Sequence, residues 1–245
     1  IAWYENDGAT DPAFTEHSVS SSADGANSVF AADVDGDGDM DLMSASSVDD
    51  KIAWYENDGS QNFTERIVST NADGAFDVFA IDVDGDGDMD LLSASSEDDK
   101  IAWYENNGSQ NFTERVVSTN ANFAHTVFAA DLDGDGDIDL MSASQSDNKI
   151  AWYENDGSEN FTEHVVSTTA NGARAVYAAD MDADGNIDII STSSANDKVS
   201  LYKNDGASNP TFTEIILSNS ADGAWGLFVA DVDNDGDLDV ISGSA

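Results

Sequence analysis

The stretch Val29-Phe-Ala-Ala-Asp-Val-Asp-Gly-Asp-Gly-Asp-Met-Asp-Leu42 runs from an apolar segment through an acidic, glycine-bearing loop into a second apolar segment. Its loop core, beginning at Asp33, returns at Asp82, Asp131, Asp180 and Asp231. A second phrase, Ile1-Ala-Trp-Tyr-Glu-Asn-Asp-Gly8, returns at Ile52, Ile101 and Ile150, and in weaker form from Val199 to Gly206. The spacing is 49 residues, widened to 51 by the two-residue insertions that carry Pro12 and Pro210. A repeat of this length marks a solenoid, a propeller or a tandem array. The units are 1–51, 52–100, 101–149, 150–198 and 199–245, expected to build one domain over 1–245.

In the first full unit, Val29–Ala32, Asp41–Ser46, Lys51–Glu56 and Phe63–Val68 read as strands. Each is short, rich in β-branched or aromatic residues, and bounded by Gly, Asn, Asp or Ser. Helical periodicity and helix caps are missing. The predicted fold is all-β: a five-bladed β-propeller with four antiparallel strands per blade. The chain begins with a third and a fourth strand and ends with a first and a second. The last blade is therefore expected to close by pairing the N- and C-terminal strands, which would remove free sheet edges.

Composition narrows the function classes. Fifty Asp and Glu against eight Lys and Arg give a net charge of −42 over 245 residues. Such a balance argues against nucleic acid as partner, because phosphate binding needs clustered cations. No apolar run reaches the ~18–20 residues that span a bilayer, so no membrane insertion is expected. The absence of Cys excludes disulfide staples and thiolate metal sites. The excess of acid suits a saline or calcium-rich exterior, so an extracellular or cell-surface location is expected. Ile1 opens in mid-pattern without a signal-peptide signature, as a processed product or a part of something longer would.

The loops carry the strongest chemical signal. Asp33, Asp35, Asp37 and Asp41 place carboxylates at positions 1, 3, 5 and 9, with Asp39 at position 7 offering its backbone carbonyl. The same set recurs as Asp82, Asp84, Asp86, Asp88 and Asp90; as Asp131, Asp133, Asp135, Asp137 and Asp139; as Asp180, Asp182, Asp184, Asn186 and Asp188; and as Asp231, Asp233, Asp235, Asp237 and Asp239. An all-oxygen donor set suits Ca2+, whereas zinc or copper would prefer His or Cys. The loops hold 24 of the 50 acidic residues, and like charges so close repel unless a cation sits among them. About five calcium ions, one per blade, are expected. An EF-hand is excluded, since position 12 is Ser44, Ser93, Ser142, Ser191 or Ser242 instead of Glu, and the flanks are strands.

The run over residues 29–42, followed by Asn57-Asp58-Gly59 and Phe63-Thr64, resembles the FG-GAP/VCBS repeat family. Those repeats form the calcium-binding propellers of integrin α-chain heads and of secreted lectins and polysaccharide lyases. The resemblance covers essentially the whole chain and implies that the Asp residues above ligate calcium. It carries no activity, because many functions sit on one fold.

Units 52–100 and 101–149 share 36 of 49 residues, so positions that differ among copies stand out. Just before each first strand, Asn27, Phe76, His125, Arg174 and Trp225 occupy one equivalent position, and Ser28, Asp77, Thr126, Ala175 and Gly226 the next. Phe123 replaces the glycine found as Gly25, Gly74, Gly172 and Gly223. These positions are expected to ring the channel mouth on the face opposite the acidic loops. There Asn27, Phe76, Asp77, His125, Arg174 and Trp225 mix stacking surfaces with hydrogen-bonding groups, as a glycan or other polar ligand requires. Neutral drift in an exposed loop would give the same divergence.

Other recurrences read as structure. Trp3, Trp54, Trp103 and Trp152 are expected to pack between blades. Lys51, Lys100, Lys149 and Lys198 are expected to make local ion pairs of little worth, and Glu16, Glu65, Glu114, Glu163 and Glu214 to be solvated. His17 and His164 alternate with Arg66 and Arg115 and do not read as catalytic. The Asn62, Asn111, Asn160 and Asn107 sequons are equally ordinary strand or turn sequence. The leading expectation is an extracellular, calcium-stabilised binding module that is not an enzyme. The alternatives are a polysaccharide lyase or hydrolase using His125, Arg174 and Asp77, and an adhesive or structural module that binds an extracellular protein.

Overall fold

Four complete four-stranded antiparallel sheets stand in a row in the computed structural model, which describes residues 1–244. They are β3–β6 (Ala26–Ala32, Asp41–Ser46, Lys51–Asn57, Phe63–Ser69), β7–β10 (Ala75–Ile81, Asp90–Ser95, Lys100–Asn106, Phe112–Ser118), β11–β14 (Ala124–Ala130, Asp139–Ser144, Lys149–Asn155, Phe161–Ser167) and β15–β18 (Ala173–Ala179, Asp188–Ser193, Lys198–Asn204, Phe212–Ser218). Two half-sheets flank them, β1 (Ala2–Asn6) with β2 (Phe14–Ser18) and β19 (Gly226–Ala230) with β20 (Asp239–Gly243). The fold is all-β and propeller-like, built from the repeated meander the sequence predicts. No helix among the described residues is long and apolar enough to cross a membrane.

Neighbouring blades are fused by apolar layers. Met43, Ile52 and Trp54 of one blade pack with Ala75, Val78 and Leu91 of the next, all at 2% exposure or less. Equivalent clusters form around Trp103 and around Trp152. Each of these indoles meets the fourth strand of the following blade edge-on, Trp54 with Phe112, Trp103 with Phe161 and Trp152 with Phe212, at centroid separations of 6.1–6.4 Å. Trp54, Trp103 and Trp152 therefore play the inter-blade role expected of the series, whereas Trp3 stacks on His17 of its own half-sheet at 4.4 Å. Along the inner strands Phe30, Phe79, Phe128 and Tyr177 form an aromatic ladder with centroids 4.5–4.8 Å apart, which ties the pitch of successive blades together.

No hydrogen-bonded pairing joins the terminal strands among the described residues. β1 pairs only with β2, and β20 only with β19. Tyr4 is 60% exposed, whereas its counterparts Tyr55, Tyr104 and Tyr153 are at 1% or less; Phe228 and Ile241 are likewise open to solvent. Balanced strand counts establish that the half-blades are complementary. They do not by themselves pair the terminal strands.

The repeated lysines also differ from expectation. Lys51, Lys100, Lys149 and Lys198 are buried, at 6–8% exposure. Lys100 reaches Glu114 at 2.9 Å and Asp98 at 3.0 Å, and donates to the Asn71 carbonyl at 2.6 Å. The ammonium thus sews the third strand, the fourth strand and the preceding inter-blade loop together, and Glu114 is not simply solvated. Lys100→Ala would leave two half-buried carboxylates without a counter-charge. We expect it to cost about 2–3 kcal/mol in urea unfolding, below the ~3–5 kcal/mol of a fully buried pair because Glu114 still meets water. A loss under 0.5 kcal/mol would mean that these are the weak surface pairs first expected.

Candidate functional site

Each acidic loop follows an inner strand and is wound by its own carboxylates. Asp33 accepts hydrogen bonds from the Gly36 amide at 2.8 Å and the Gly38 amide at 3.0 Å, while Asp35 and Asp37 each accept from the amide two residues on. Asp41 spans the blade: Oδ2 accepts from the Val34 amide and Oδ1 from the Asn57 amide at 2.7 Å, which pins the loop to the third strand. Carboxylate atoms of Asp33, Asp35 and Asp37 lie within 4.8 Å of one another, as do those of Asp82, Asp84 and Asp86, of Asp131, Asp133 and Asp139, of Asp180, Asp182 and Asp184, and of Asp231, Asp233 and Asp239. All five loops therefore gather carboxylate oxygens without His or Cys ligands, a donor set that fits a hard divalent cation.

The electrostatics are those of a site short of positive charge. Burial, reinforced by neighbouring carboxylates, pushes Asp35, Asp84 and Asp133 above the ordinary carboxylate range. Burial pushes Asp90 and Asp139 up to about 7, against the pull of their backbone hydrogen bonds. The side chains of Asp39, Asp88, Asp137 and Asn186 turn away to the Asn-Asp-Gly or Asn-Asn-Gly turn of the same blade, so that a Cβ on Gly59 would lie 2.5 Å from Asp39 Oδ2. Gly59 itself adopts φ +74°, so bulk and backbone both demand glycine there.

One contributor was missed in the sequence. Glu56, Glu105 and Glu154, from the Trp-Tyr-Glu-Asn phrase, face the loops closely enough to raise Asp35, Asp84 and Asp133. In the fourth blade this residue is Lys203, whose ammonium bonds Asp182 and lies 3.5 Å from Asp184. A tethered cation thus already sits among the carboxylates of that loop. The signal was the change from Glu to Lys inside an otherwise regular phrase.

At the opposite ends of the inner strands the divergent residues come together. Asn27, Phe76, His125 and Arg174 lie within β3, β7, β11 and β15, one residue past each strand's start, and not in a loop before them as the sequence suggested. Each falls at a register shift: Ala75 faces Ser95 and Asp77 faces Ala94, which leaves Phe76 as the extra residue of a β-bulge. Ala26/Ser28, Ala124/Thr126 and Ala173/Ala175 repeat the arrangement. A bulge re-aims one side chain without breaking the sheet. Here it sends one side chain per blade to a common mouth. Asn27, Phe76, Asp77, His125, Arg174 and Trp225 all line a single cavity of about 200 Å³.

The mouth is tightly knit. The His125 ring meets Phe76 at 4.0 Å and Trp225 at 5.5 Å, and Arg174 lies 3.9 Å over the Trp225 ring. Arg174 Nη1 lies 2.6 Å from His125 Nε2, and the same ring nitrogen lies 3.0 Å from Gln145 Oε1. Burial, with the adjacent Arg174 charge, lowers the His125 pKa to about 4. Asp77 takes a structural part. Its Oδ1 accepts from Ser28 of the preceding blade at 2.7 Å and its Oδ2 from the Val127 amide of the following blade at 3.1 Å, while burial pushes its carboxyl up to about 6. Asn27 similarly donates to the Ala75 carbonyl. Phe123 takes φ +58° where the other blades have glycine and stacks near His125, at 5.4 Å. A bulky residue in that conformation is strained, and strain is retained where the surroundings demand it.

The family model for the FG-GAP-like repeat matches residues 1–44, 33–93, 82–142, 131–191 and 180–242, so five overlapping matches tile the chain. No curated protein matches it in sequence. Among solved structures, a protein from Lactobacillus plantarum superposes with TM-score 0.64 at 15% identity, over 98% of this chain and 71% of that one. The Vibrio cholerae biofilm matrix protein Bap1 gives 0.54 at 19% identity, over 83% and 30%, and rhamnogalacturonan lyase YesW gives 0.56 at 15%, over 90% and 47%. The chain thus spans less than half the length of the last two. At these identities the likeness is one of fold.

Proposed function

The chain belongs to the FG-GAP-like repeat family, and on that premise we propose that it is an extracellular, calcium-stabilised binding module that recognises a polar ligand, with a glycan as the leading candidate, at the mouth opposite its acidic loops. The observation that carries this reading is the bulge at Asn27, Phe76, His125 and Arg174. Blades that are otherwise near copies use the same backbone device to bring different side chains into one cavity. Drift alone would scatter substitutions over exposed loops instead of gathering aromatic and hydrogen-bonding groups at one point. Calcium would be held by the carboxylates at positions 1, 3, 5 and 9. It would neutralise charge that the fold otherwise forces together, and thereby hold each loop against its third strand.

A lyase or hydrolase centred on His125, Arg174 and Asp77 has less support. Both oxygens of Asp77 accept hydrogen bonds within the protein, and His125 Nε2 is held between Arg174 and Gln145, so neither residue is presented as a free general base. The adhesive reading draws on the resemblance to a biofilm matrix protein, a likeness of fold alone.

Trp225 is 51% exposed at the mouth, so its truncation should spare the fold. On a glycan array in calcium, Trp225→Ala is expected to lose at least about tenfold in retention with its melting temperature nearly unchanged. Retention of the same glycans by Trp225→Ala, or turnover of any of them, would remove the support for recognition at this site.

A further inference from the structure

Resting on the reading of the mouth as a recognition site, we infer that Arg174 is the seat of a carboxylate, and that the ligand is a short saccharide carrying a uronate group. The chain has eight Lys and Arg residues against fifty acids. Seven of the eight hold a carboxylate in an ion pair. Among the described residues Arg174 alone does not. In a protein so rich in carboxylates an unpaired guanidinium is not explained by scarcity of partners. It is unpaired because every residue around it is neutral or already engaged: the bulge residues Asn27, Phe76 and His125 and the neighbouring Trp225 carry no charge of their own, and Asp77 gives both oxygens to the neighbouring blades.

The guanidinium is also fixed in place. Its Nε donates to Ser194 Oγ at 3.0 Å, its Nη1 lies 2.6 Å from His125 Nε2, and its face rests on the Trp225 ring. Of five N–H groups, three remain without a partner among the described residues. A planar fork braced from behind by neutral groups presents its free edge to the cavity. A carboxylate matches that edge in charge and in bidentate geometry. The half-exposed indole of Trp225 and the Phe76 ring offer apolar faces beside it, suited to the C–H face of a pyranose. The rest of the molecule limits the ligand's charge. A net −42 repels a dense polyanion at long range, whereas one carboxylate seated in contact with a cation gains locally what it loses at a distance. A short or sparsely charged uronate oligosaccharide fits, and a nucleic acid or heavily sulfated chain does not.

The test is calorimetry on the calcium-loaded protein with trisaccharides of galacturonate, glucuronate and mannuronate, each beside its carboxyl-reduced neutral counterpart. At least one uronate is expected to bind about 10- to 100-fold more tightly than its reduced form. Arg174→Gln should erase that preference yet keep the affinity for the neutral sugar, Arg174→Lys should keep part of it, and Trp225→Ala should weaken both ligands together. Equal affinity for acid and neutral forms, or a preference that survives in folded Arg174→Gln, would overturn the assignment of the carboxylate while leaving saccharide recognition standing. Binding of no member of either series would overturn both.

Discussion

Stripped of divalent cations with EDTA, the protein is expected to melt well below its calcium-loaded form, and to recover part of that loss on acidification. The first half follows from mass action: an ion present at a thousand times its Kd stabilises the folded state by about 4 kcal/mol per site. In a chain of this size that is roughly 10 °C per site. The second half follows from Asp90 and Asp139, whose carboxyls burial pushes up to about 7. In the unfolded chain they titrate near the ordinary value of 3.8. Between those two pH values the metal-free folded state holds protons that the unfolded state releases. Its stability therefore falls as pH rises through the window and is greatest below it. Relief of repulsion among the other loop carboxylates acts in the same direction. Calcium reverses the sign, because protons then compete with the ion for the same oxygens. Differential scanning calorimetry at pH 5.5 and 7.5, with EDTA and with excess calcium, reads all four states. A calcium-free melting temperature that is equal to the loaded one, or that falls on acidification within this range, would sink the assignment of the loops.

The readable and the unreadable parts of this chain divide along a physical line. Strand identity was legible because β4, β5 and β6 are bounded by residues that break strands, and each recurs with the same flanks. The first strand was placed three residues too late, at Val29 instead of Ala26. Ala26-Asn27-Ser28 has no strand composition, and the bulge that sets its register is a backbone event that composition does not record. The convergence of Phe76, His125, Arg174 and Trp225 was nevertheless visible, since disagreement among near-identical units isolates the positions that the fold does not need to keep. Asp77 was grouped with them correctly in space, but its two bonds to neighbouring blades could not be read from one position in one unit. The same holds for Lys100, whose burial depends on an inter-blade loop 29 residues earlier in the chain. Joining of the termini was inferred from strand counts, and counts do not record which strand edges meet. Glu56 was overlooked for a different reason: it lies 15 residues after Asp41, outside the loop whose spacing drew attention.

Replacing Lys203 by glutamate is expected to add one equivalent of bound calcium and to raise the loaded melting temperature. The fourth loop keeps Asp180, Asp182, Asp184 and Asp188 at the ligand positions, so by spacing alone it should bind like the first three. Its third strand, however, delivers an ammonium to Asp182 and Asp184 where the other blades deliver a carboxylate. The exchange is matched next door. Arg66, Arg115 and His164 hold Glu56, Glu105 and Glu154, and the equivalent residue beside Lys203 is Ile215, so the positive charge has moved from the fourth strand to the third. A monovalent cation on a tether neutralises the loop without giving up chain entropy to a free ion, and a divalent ion entering the site must first displace it. Lys203→Glu removes the competitor and supplies the missing oxygen donor, while Lys203→Met removes the competitor alone. Titration of chelator-treated protein against a chromophoric calcium indicator should therefore show one more equivalent in the glutamate variant than in the parent, with the methionine variant binding the extra ion more weakly. The new site should stabilise the loaded protein by about 4 kcal/mol at a thousandfold excess over its Kd. The calcium-free glutamate variant should be only slightly less stable than the parent, since the lost pair is exposed to solvent on both sides. Identical stoichiometry in all three proteins would show that Lys203 does not occupy the place of the ion.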